Sequence, residues 1–189
     1  MAEEWGQIAV TAEVYLSAPT EGDIPAYVRY LNERQIYDNT FEIPYPYHED
    51  HGQDFLRRVG ERASAAGRLL HWAIRDRKEG LIGMIAFLSK QEPSTGVDEV
   101  GFWLGKPFWG QGLMTAVLRA FTQAAFERFG YQRLELRIFA DNAASCRVAE
   151  KCGYEFVCVQ PGYYRKDDRK IDAKLYAIER QGTTQSTKE

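Results

Sequence analysis

A pair of glycines separated by one residue stands directly before the longest apolar helix that the sequence predicts. The glycines are Gly110 and Gly112, and the helix is expected over 111–129. No Asp or Glu lies between Glu99 and Glu127, so the first turn lacks the acids that the helix dipole favours there. It also lacks a capping Ser, Thr, Asp or Asn. Because the first N–H groups of a helix need acceptors, this arrangement predicts an anion site, with a phosphate as the ligand.

The glycine pair matches neither of the two common phosphate motifs. A dinucleotide fingerprint needs a third glycine where this chain has Thr115, and the Gly-Lys-Ser/Thr ending of a P-loop is absent. Two glycines at this spacing also form tight structural turns, because glycine adopts positive φ at no steric cost. By itself the pair therefore leaves a phosphate loop and a structural turn both open.

Six short segments in the second half of the chain form a pattern together. They are Glu99-Val-Gly-Phe-Trp-Leu104, Lys106-Pro-Phe-Trp-Gly-Gln-Gly-Leu-Met-Thr115, Gly130-Tyr131, Leu134-Glu-Leu-Arg137, Asp141-Asn142-Ala-Ala-Ser145 and Glu150-Lys-Cys-Gly-Tyr154. This pattern resembles the GNAT acetyltransferase superfamily, and most closely its branch of ribosomal-protein N-terminal acetyltransferases. With the order of strands and helices, the resemblance covers about residues 8–180.

The resemblance implies an acetyl-CoA site in a V-shaped cleft between neighbouring parallel strands at 97–104 and 133–139. Backbone groups of the first strand would pair with the pantetheine arm as an added strand does. Amides of the glycine loop would hold the pyrophosphate, and Asn142 would contact the pantetheine. The implied cofactor residues are Phe102, Trp103, Leu104, Gly110, Gln111, Gly112, Leu113, Met114, Thr115 and Asn142. The chain departs from the family at Pro107, where a Gln or Arg is usual.

Acetyl transfer to an amine needs a group that accepts the ammonium proton and one that protonates the leaving thiolate. The resemblance gives Glu99 the first role, through water, with a structural glutamate at a strand end as the alternative. The usual tyrosine acid is replaced by Ala149, and this branch of the family gives the role to the serine that corresponds to Ser145. A helix cap is the alternative for Ser145. Further candidates for the acid are Tyr154, Tyr163 and Tyr164.

The resemblance places the acceptor opposite the cofactor, past a loop at 37–47. That loop is rich in aromatic residues, and the expected acceptor residues are Tyr37, Phe41 and Tyr45. Residues 21–54 hold eight acids and two arginines, so we expect an acidic rim that attracts a cationic amine. The rings would wall its apolar part or make cation–π contacts. A solvated helix face with aromatic residues packed on the core is the alternative.

The hydrophobic pattern alternates between strand and helix periods along the chain. Strands are expected over 8–16, 69–75, 81–88, 97–104, 133–139, 154–160 and 171–178, and helices over 20–32, 48–66, 111–129 and 142–152. The order predicts a single α/β (α+β) domain over 8–180, in which about four helices flank a twisted, mixed sheet of about seven strands. The resemblance makes this the GNAT fold with splayed central strands. Residues 1–7 and 181–189 are expected to be flexible termini.

Composition excludes several classes of protein. With a net charge of −3 and no basic run longer than two residues, no clustered positive face for nucleic acid is expected. No apolar stretch approaches the length of a membrane span. Three cysteines without metal-ligand spacing predict no metal site, and a structural role is expected for Cys146 and Cys152. Unpaired thiols and no signal peptide predict a cytoplasmic protein.

These observations predict an acetyl-CoA-dependent N-acetyltransferase that moves the acetyl group directly to a primary amine in a ternary complex. The acceptor is a protein or peptide N-terminus, a polyamine or a small amine, and the protein is a monomer or a homodimer. A non-catalytic acyl-CoA-binding module, acting as a sensor or interaction domain, is the alternative. The missing tyrosine acid at position 149 keeps that alternative open.

Overall fold

Eight strands join in one sheet in a computed structural model that describes residues 6–88 and 96–181. The strands are β1 (Ile8–Ala9), β2 (Val14–Ser17), β3 (His71–Asp76), β4 (Gly80–Phe87), β5 (Val97–Leu104), β6 (Arg133–Phe139), β7 (Glu155–Lys166) and β8 (Arg169–Glu179). Their order is β1-β2-β3-β4-β5-β6-β8-β7. Apart from Gly6, Gln7 and Gln181, the expected flexible termini lie outside the described residues.

Five helices of the described chain pack on the two faces of this sheet. They are α1 (Ile24–Leu31), α2 (Arg34–Asp38), α3 (Glu49–Ala66), α4 (Leu113–Glu127) and α5 (Ala143–Lys151). Buried side chains of α4 and α5 share one core with the sheet, and those of α1 and α2 share a second core. In β5, Leu104 belongs to the first core and Trp103 to the second, because successive strand residues point to opposite faces.

The mixed sheet and its flanking helices confirm the expected fold class, with two corrections in detail. The segment expected as one strand over 8–16 is a hairpin, in which Ile8 of β1 lies opposite Leu16 of β2. The Thr11 hydroxyl accepts hydrogen bonds from the N–H groups of Glu13 and Val14 and turns the chain there. The other correction is α2, a short helix that begins between the expected helix over 20–32 and the expected loop over 37–47 and includes the first two residues of that loop.

The central strands β5 and β6 are the only parallel neighbours in the described sheet, and they separate after a short contact. They pair at Val97, Asp98 and Glu99, and Glu99 lies opposite Glu135. Beyond that point β5 continues along β4 as far as Leu104, while β6 continues along β8. The two strands therefore diverge as expected, and a V-shaped opening lies between them.

The strand β7 forms an edge of the sheet and carries an irregularity before its end. Between Gln160 and Tyr164 the register shifts, so that three residues of β7 lie opposite one residue of β8, Asp172. Pro161 lies in this bulge, where the missing N–H of a proline is tolerated on an edge strand. After the bulge, Tyr164 points into the protein and is buried.

The buried residue His71 makes the stability of the fold depend on pH. Burial lowers the pKa of its imidazole from 6.5 to about 4. Between those values the unfolded chain binds more protons, so the free energy of unfolding falls as the pH falls from about 6.5 towards about 4. We expect His71→Gln to flatten this part of the profile, measured by urea unfolding between about pH 7.5 and about pH 5. Parallel profiles of the two proteins would contradict the assignment.

Candidate functional site

A cleft of about 560 Å³ opens where β5 and β6 separate. It is lined by the end of β5, the glycine loop and the first turns of α4 and α5, with α2 on one side. Ten of the expected site residues lie together there, namely Phe102, Trp103, Leu104, Gly110, Gly112, Leu113, Met114, Thr115, Asn142 and Ser145. Gln111 is not among the lining residues, because its side chain folds back and donates to the Pro107 carbonyl at 2.9 Å.

The first turn of α4 faces this cleft without a side-chain cap. Gly112 is the N-cap residue with φ of +76°, and Gly110 has φ of +73°. Both values lie in the left-handed region, so the loop needs glycine at these two positions. No acidic residue lies in the first turn of α4. Amides of this turn have no partners inside the helix and form a site for a negatively charged group.

The first turn of α5 forms the other side of the same site. Asn142 is its N-cap, and its side-chain oxygen accepts a hydrogen bond from the Ser145 N–H at 3.1 Å. Asn142, and not the Ser145 hydroxyl, therefore caps this helix, so the alternative kept for Ser145 is wrong. The half-buried Ser145 lines the cleft beside it.

Positive charge reaches the cleft from residues that the sequence analysis did not single out. Arg147 and Lys151 are four residues apart on α5 and both line the cleft, since that spacing places side chains on one helix face. In the sequence, two basic residues four apart in an expected helix were the signal that could have identified them. The residues of α2 and its end that also line the cleft, Gln35, Ile36, Asn39 and Thr40, gave no such signal.

Trp109 connects the glycine loop to the end of β5. Its indole N–H donates to the Leu104 carbonyl at 2.6 Å. This bond holds the loop at the wide end of the opening between the strands. Because the ring is 39% exposed and lines the cleft, it also provides a flat apolar wall for a bound molecule.

The expected base, Glu99, lies at the narrow end of the opening, on the sheet face opposite α4. Its side chain is buried, and its Oε2 is 2.8 Å from Nη1 of Arg137. Arg137 also contacts Glu135, with 3.0 Å between Nη2 and Oε2. Glu99 does not line the cleft. It lies where the two strands last pair, held by a guanidinium that two carboxylates share.

The tyrosines proposed as alternative acids have different surroundings. Tyr154 is buried in the core, where its hydroxyl and the Thr122 hydroxyl are 2.8 Å apart, so it lies away from the site. The Tyr164 ring lies 5.0 Å from the Phe139 ring, on the same sheet face as Glu99. Burial, followed by the charge of Glu99, raises the pKa of the Tyr164 hydroxyl. It therefore stays protonated, and it joins Ser145 as a candidate acid.

The expected acceptor residues gather around the turn between β7 and β8, outside the cleft lining. Phe41 and Tyr45 are exposed, and the ring of Phe41 lies 5.0 Å from that of Tyr164. The Tyr37 ring has two cations near it, Lys166 Nζ at 3.5 Å and the Arg34 guanidinium at 5.0 Å. The Tyr37 ring thus makes its cation–π contacts with two basic side chains of the protein itself.

The expected acidic rim is partly neutralised in the structure. Four of its eight acids are ion-paired, in the pairs Asp23–Arg75, Glu33–Lys106, Asp38–Arg34 and Asp54–Arg57. Of the four basic partners, only Arg34 lies inside residues 21–54, and the other three lie elsewhere in the chain. The count of acids along the sequence therefore overstates the negative charge that an incoming amine meets.

The described residues offer little for metal or covalent chemistry. Over 6–88 and 96–181 there is no group of three His, Cys, Asp or Glu side chains that could hold a metal ion. Burial raises the pKa of the Cys152 thiol, which donates to the Thr115 carbonyl at 3.4 Å. A thiol with a raised pKa is a poor nucleophile. In this part of the chain, no helix has the length and apolar character that crossing a membrane requires.

Comparison with known proteins assigns the family. The family described as acetyltransferase (GNAT) domain matches residues 13–155. The chain belongs to this GNAT acetyltransferase family, which confirms the resemblance. Its fold and its cleft between diverging strands are those expected from that resemblance.

The sequence identity between this chain and individual relatives is low. The chain is 29% identical over 115 residues to the uncharacterized N-acetyltransferase YoaA of Bacillus subtilis (strain 168), covering 59% of this chain and 63% of the relative. It is 28% identical over 102 residues to the ribosomal-protein-serine acetyltransferase of Escherichia coli (strain K12), covering 53% and 56%. Matches to these relatives thus span less than two thirds of their length.

A solved structure resembles the fold over nearly its whole length. It is RimL, the ribosomal L7/L12 alpha-N-protein acetyltransferase, in complex with coenzyme A. The TM-score is 0.82 at 20% sequence identity, covering 92% of this chain and 97% of that one. At 20% sequence identity, this similarity is evidence for the fold alone.

The left-handed glycine at the N-cap of α4 yields a test of the anion site. An added Cβ at Gly112 meets no protein atom within 4 Å, so Gly112→Ala acts through backbone strain, which shifts the loop and its amides. We expect the dissociation constant of coenzyme A, measured by calorimetry, to rise about tenfold as the amide contacts are lost.

Gly130→Ala is the matched control for this variant. Gly130 has the same φ of +76° and equally open surroundings, but it follows the other end of α4. Both variants should lose about 1 kcal/mol of stability, while only Gly112→Ala weakens binding. Equal coenzyme A affinity in the two variants would remove the glycine loop from the site.

Proposed function

We propose that this protein is an acetyl-CoA-dependent N-acetyltransferase that moves the acetyl group directly to a primary amine in a ternary complex. The observation that carries the proposal is the two-sided opening between β5 and β6. One side combines two helix first turns with basic residues, and the opposite sheet face holds a buried carboxylate beside aromatic rings. Two substrates can thus approach one point from opposite faces.

The cleft side suits a phosphate-bearing cofactor. Amides of the first turn of α4 and its positive dipole end attract phosphate oxygens. Arg147 and Lys151 add two cations on the adjacent helix. When bound, acetyl-CoA supplies the activated thioester. The residues proposed to hold it are those implied by the resemblance, except that the Gln111 side chain is turned away from the cleft.

The proton transfers are assigned to residues on either side of the opening. We assign Glu99 as the base that takes the ammonium proton through a water molecule, with Arg137 holding its carboxylate at the point where the strands separate. Ser145, on the cleft wall, is assigned as the acid that protonates the leaving thiolate. Tyr164 is the alternative acid, because its ring lies on the same sheet face as Glu99 and contacts Phe139 of β6, although its raised pKa makes it the weaker proton donor.

A protein N-terminus is the acceptor that the comparisons favour. Relatives named for ribosomal-protein acetylation match in sequence and in fold. The exposed rings of Phe41 and Tyr45 offer apolar contact to the side chains of a peptide. A small amine or polyamine needs less of this surface and remains the other acceptor class.

A panel of acceptors tests the function. The release of coenzyme A thiol from acetyl-CoA is followed with peptides that carry free N-termini, with the same peptides blocked at the N-terminus, and with polyamines and small amines. We expect release above the blank rate with free N-termini and no release with blocked ones. Thiol release at the blank rate with every acceptor, together with tight coenzyme A binding, would instead support the non-catalytic acyl-CoA-binding module.

The role of Glu99 is tested by Glu99→Gln. The amide keeps the shape of the side chain but cannot accept the ammonium proton, so we expect kcat near pH 7 to fall by about 100-fold. The loss should shrink at higher pH, where the amine arrives already deprotonated. Affinity for coenzyme A, measured by calorimetry, should stay within about twofold, since the amides of α4 and α5 that bind it are unchanged.

Glu135→Gln is the matched control for Glu99→Gln. Glu135 lies opposite Glu99 in the neighbouring strand and contacts the same guanidinium. A loss of kcat confined to Glu99→Gln identifies the base. If the two variants lose kcat equally and with the same pH dependence, Glu99 acts only through Arg137.

A further inference from the structure

Lys166 makes an unusual set of contacts at the end of β7. Its side chain is only 9% exposed. Its ammonium donates to the carbonyl oxygens of Tyr37 and Thr40, each at 2.5 Å, and lies 3.5 Å from the centroid of the Tyr37 ring. Lys166, although far away in the sequence, therefore binds the backbone at Tyr37 and Thr40 and also the ring of Tyr37.

The electrostatics of a helix end explain this geometry. The helix α2 ends at Asp38, and the Tyr37 carbonyl in its last turn accepts hydrogen bonds from the Asn39 and Thr40 N–H groups as well as from Lys166. The C-terminal end of a helix carries partial negative charge that a cation stabilises. Lys166 supplies that cation from another part of the sheet.

The turn that follows Lys166 makes a second contact with the same residue. The Tyr37 hydroxyl donates to Oδ1 of Asp167 at 2.6 Å. The hydrogen bond and the charge of Asp167 raise the pKa of the Tyr37 hydroxyl, as does burial. Asp167 and Asp168 both have positive φ, of 48° and 59°, as a tight hairpin turn between β7 and β8 requires. Two successive residues of the hairpin thus hold the carbonyl, ring and hydroxyl of Tyr37.

These contacts join two structural units that meet at the acceptor side. From the helix end, the chain continues to Phe41, whose ring contacts Tyr164 of β7. Lys166 lies two residues beyond Tyr164 on the same strand. The lysine therefore attaches the segment that leads to Phe41 to the strand that carries Tyr164.

We propose that Lys166 is a positioning residue for the acceptor. By attaching residues 37–41 to the turn between β7 and β8, it holds the packed rings of Phe41 and Tyr164 in place as a wall of the acceptor site. Tyr37, which was expected to contact the acceptor, instead supports this wall through its contacts with Lys166 and Asp167. The inference rests on the proposed function for the identity of the acceptor, but the attachment itself does not require turnover.

Lys166→Met tests the inference with Lys170→Met as its control. Methionine keeps the aliphatic length and removes the charge and the hydrogen bonds. Lys170 is an exposed lysine of the same hairpin, so its substitution makes the same change of net charge. We expect Lys166→Met alone to raise KM for the acceptor roughly tenfold, as two charge-assisted hydrogen bonds are lost. KM for acetyl-CoA and the dissociation constant of coenzyme A should change by less than about twofold.

Hydrogen exchange provides the readout that does not depend on activity. Amides of residues 36–41 should exchange faster in Lys166→Met than in the wild type or Lys170→Met, while those of α4 and β5 keep their rates. Tyr37→Phe, which loses only the bond to Asp167, should show a smaller change in the same direction. Faster exchange restricted to this segment supports the attachment.

The outcomes separate this inference from the proposed function. If the wild type acetylates no amine, the proposed function fails, and exchange together with coenzyme A binding still decides whether Lys166 holds the segment without affecting the cofactor. Unchanged exchange in Lys166→Met overturns the inference. In an active enzyme, an unchanged acceptor KM, or equal rises in KM for acceptor and acetyl-CoA, overturns it as well.

Discussion

The separation of β5 and β6 after Glu99 is the constraint on which the rest of the structure depends. Parallel neighbours that pair at only three positions leave backbone groups on their inner edges that need other partners. At the wide end, the Trp109 indole binds the Leu104 carbonyl. The remaining opening is surrounded by helix first turns on one face and by charged and aromatic side chains on the other. The opening thus contains polar backbone groups of the two strands, and it lies where two surfaces of different charge meet.

Charge on the sheet face that carries Glu99 is arranged as a continuous series across three strands. Glu99 of β5 contacts Arg137, Arg137 contacts Glu135, and Glu135 contacts Arg133, which also reaches Glu179 of β8. Since buried charges are costly unless they are paired, each member restricts the position of the next. The Glu99 carboxylate at the narrow end of the opening is therefore held in one position by its charged neighbours.

The sequence predicted those parts of the site that depend on residues close together along the chain. The strands at 97–104 and 133–139 occur as expected, and the second of them has apolar and polar residues in alternation. The glycine loop was predictable because positive φ and an uncapped helix are properties of consecutive residues. The hairpin at Thr11 was missed, since side-chain hydrogen bonds turn the chain inside an alternating pattern. The contacts of Lys166 with Tyr37 were not predictable, because 129 residues separate them.

The bulge in β7 has a consequence for the length of the hairpin that β7 forms with β8. It adds two residues to β7 relative to β8 between Gln160 and Tyr164. Side chains alternate with a period of two along a strand, so an even insertion leaves Tyr164 and Lys166 on the faces they would otherwise have. An insertion or deletion of two residues in this hairpin would therefore keep both side chains on their present face. The reach of the hairpin can thus change without altering the strands that form the cleft.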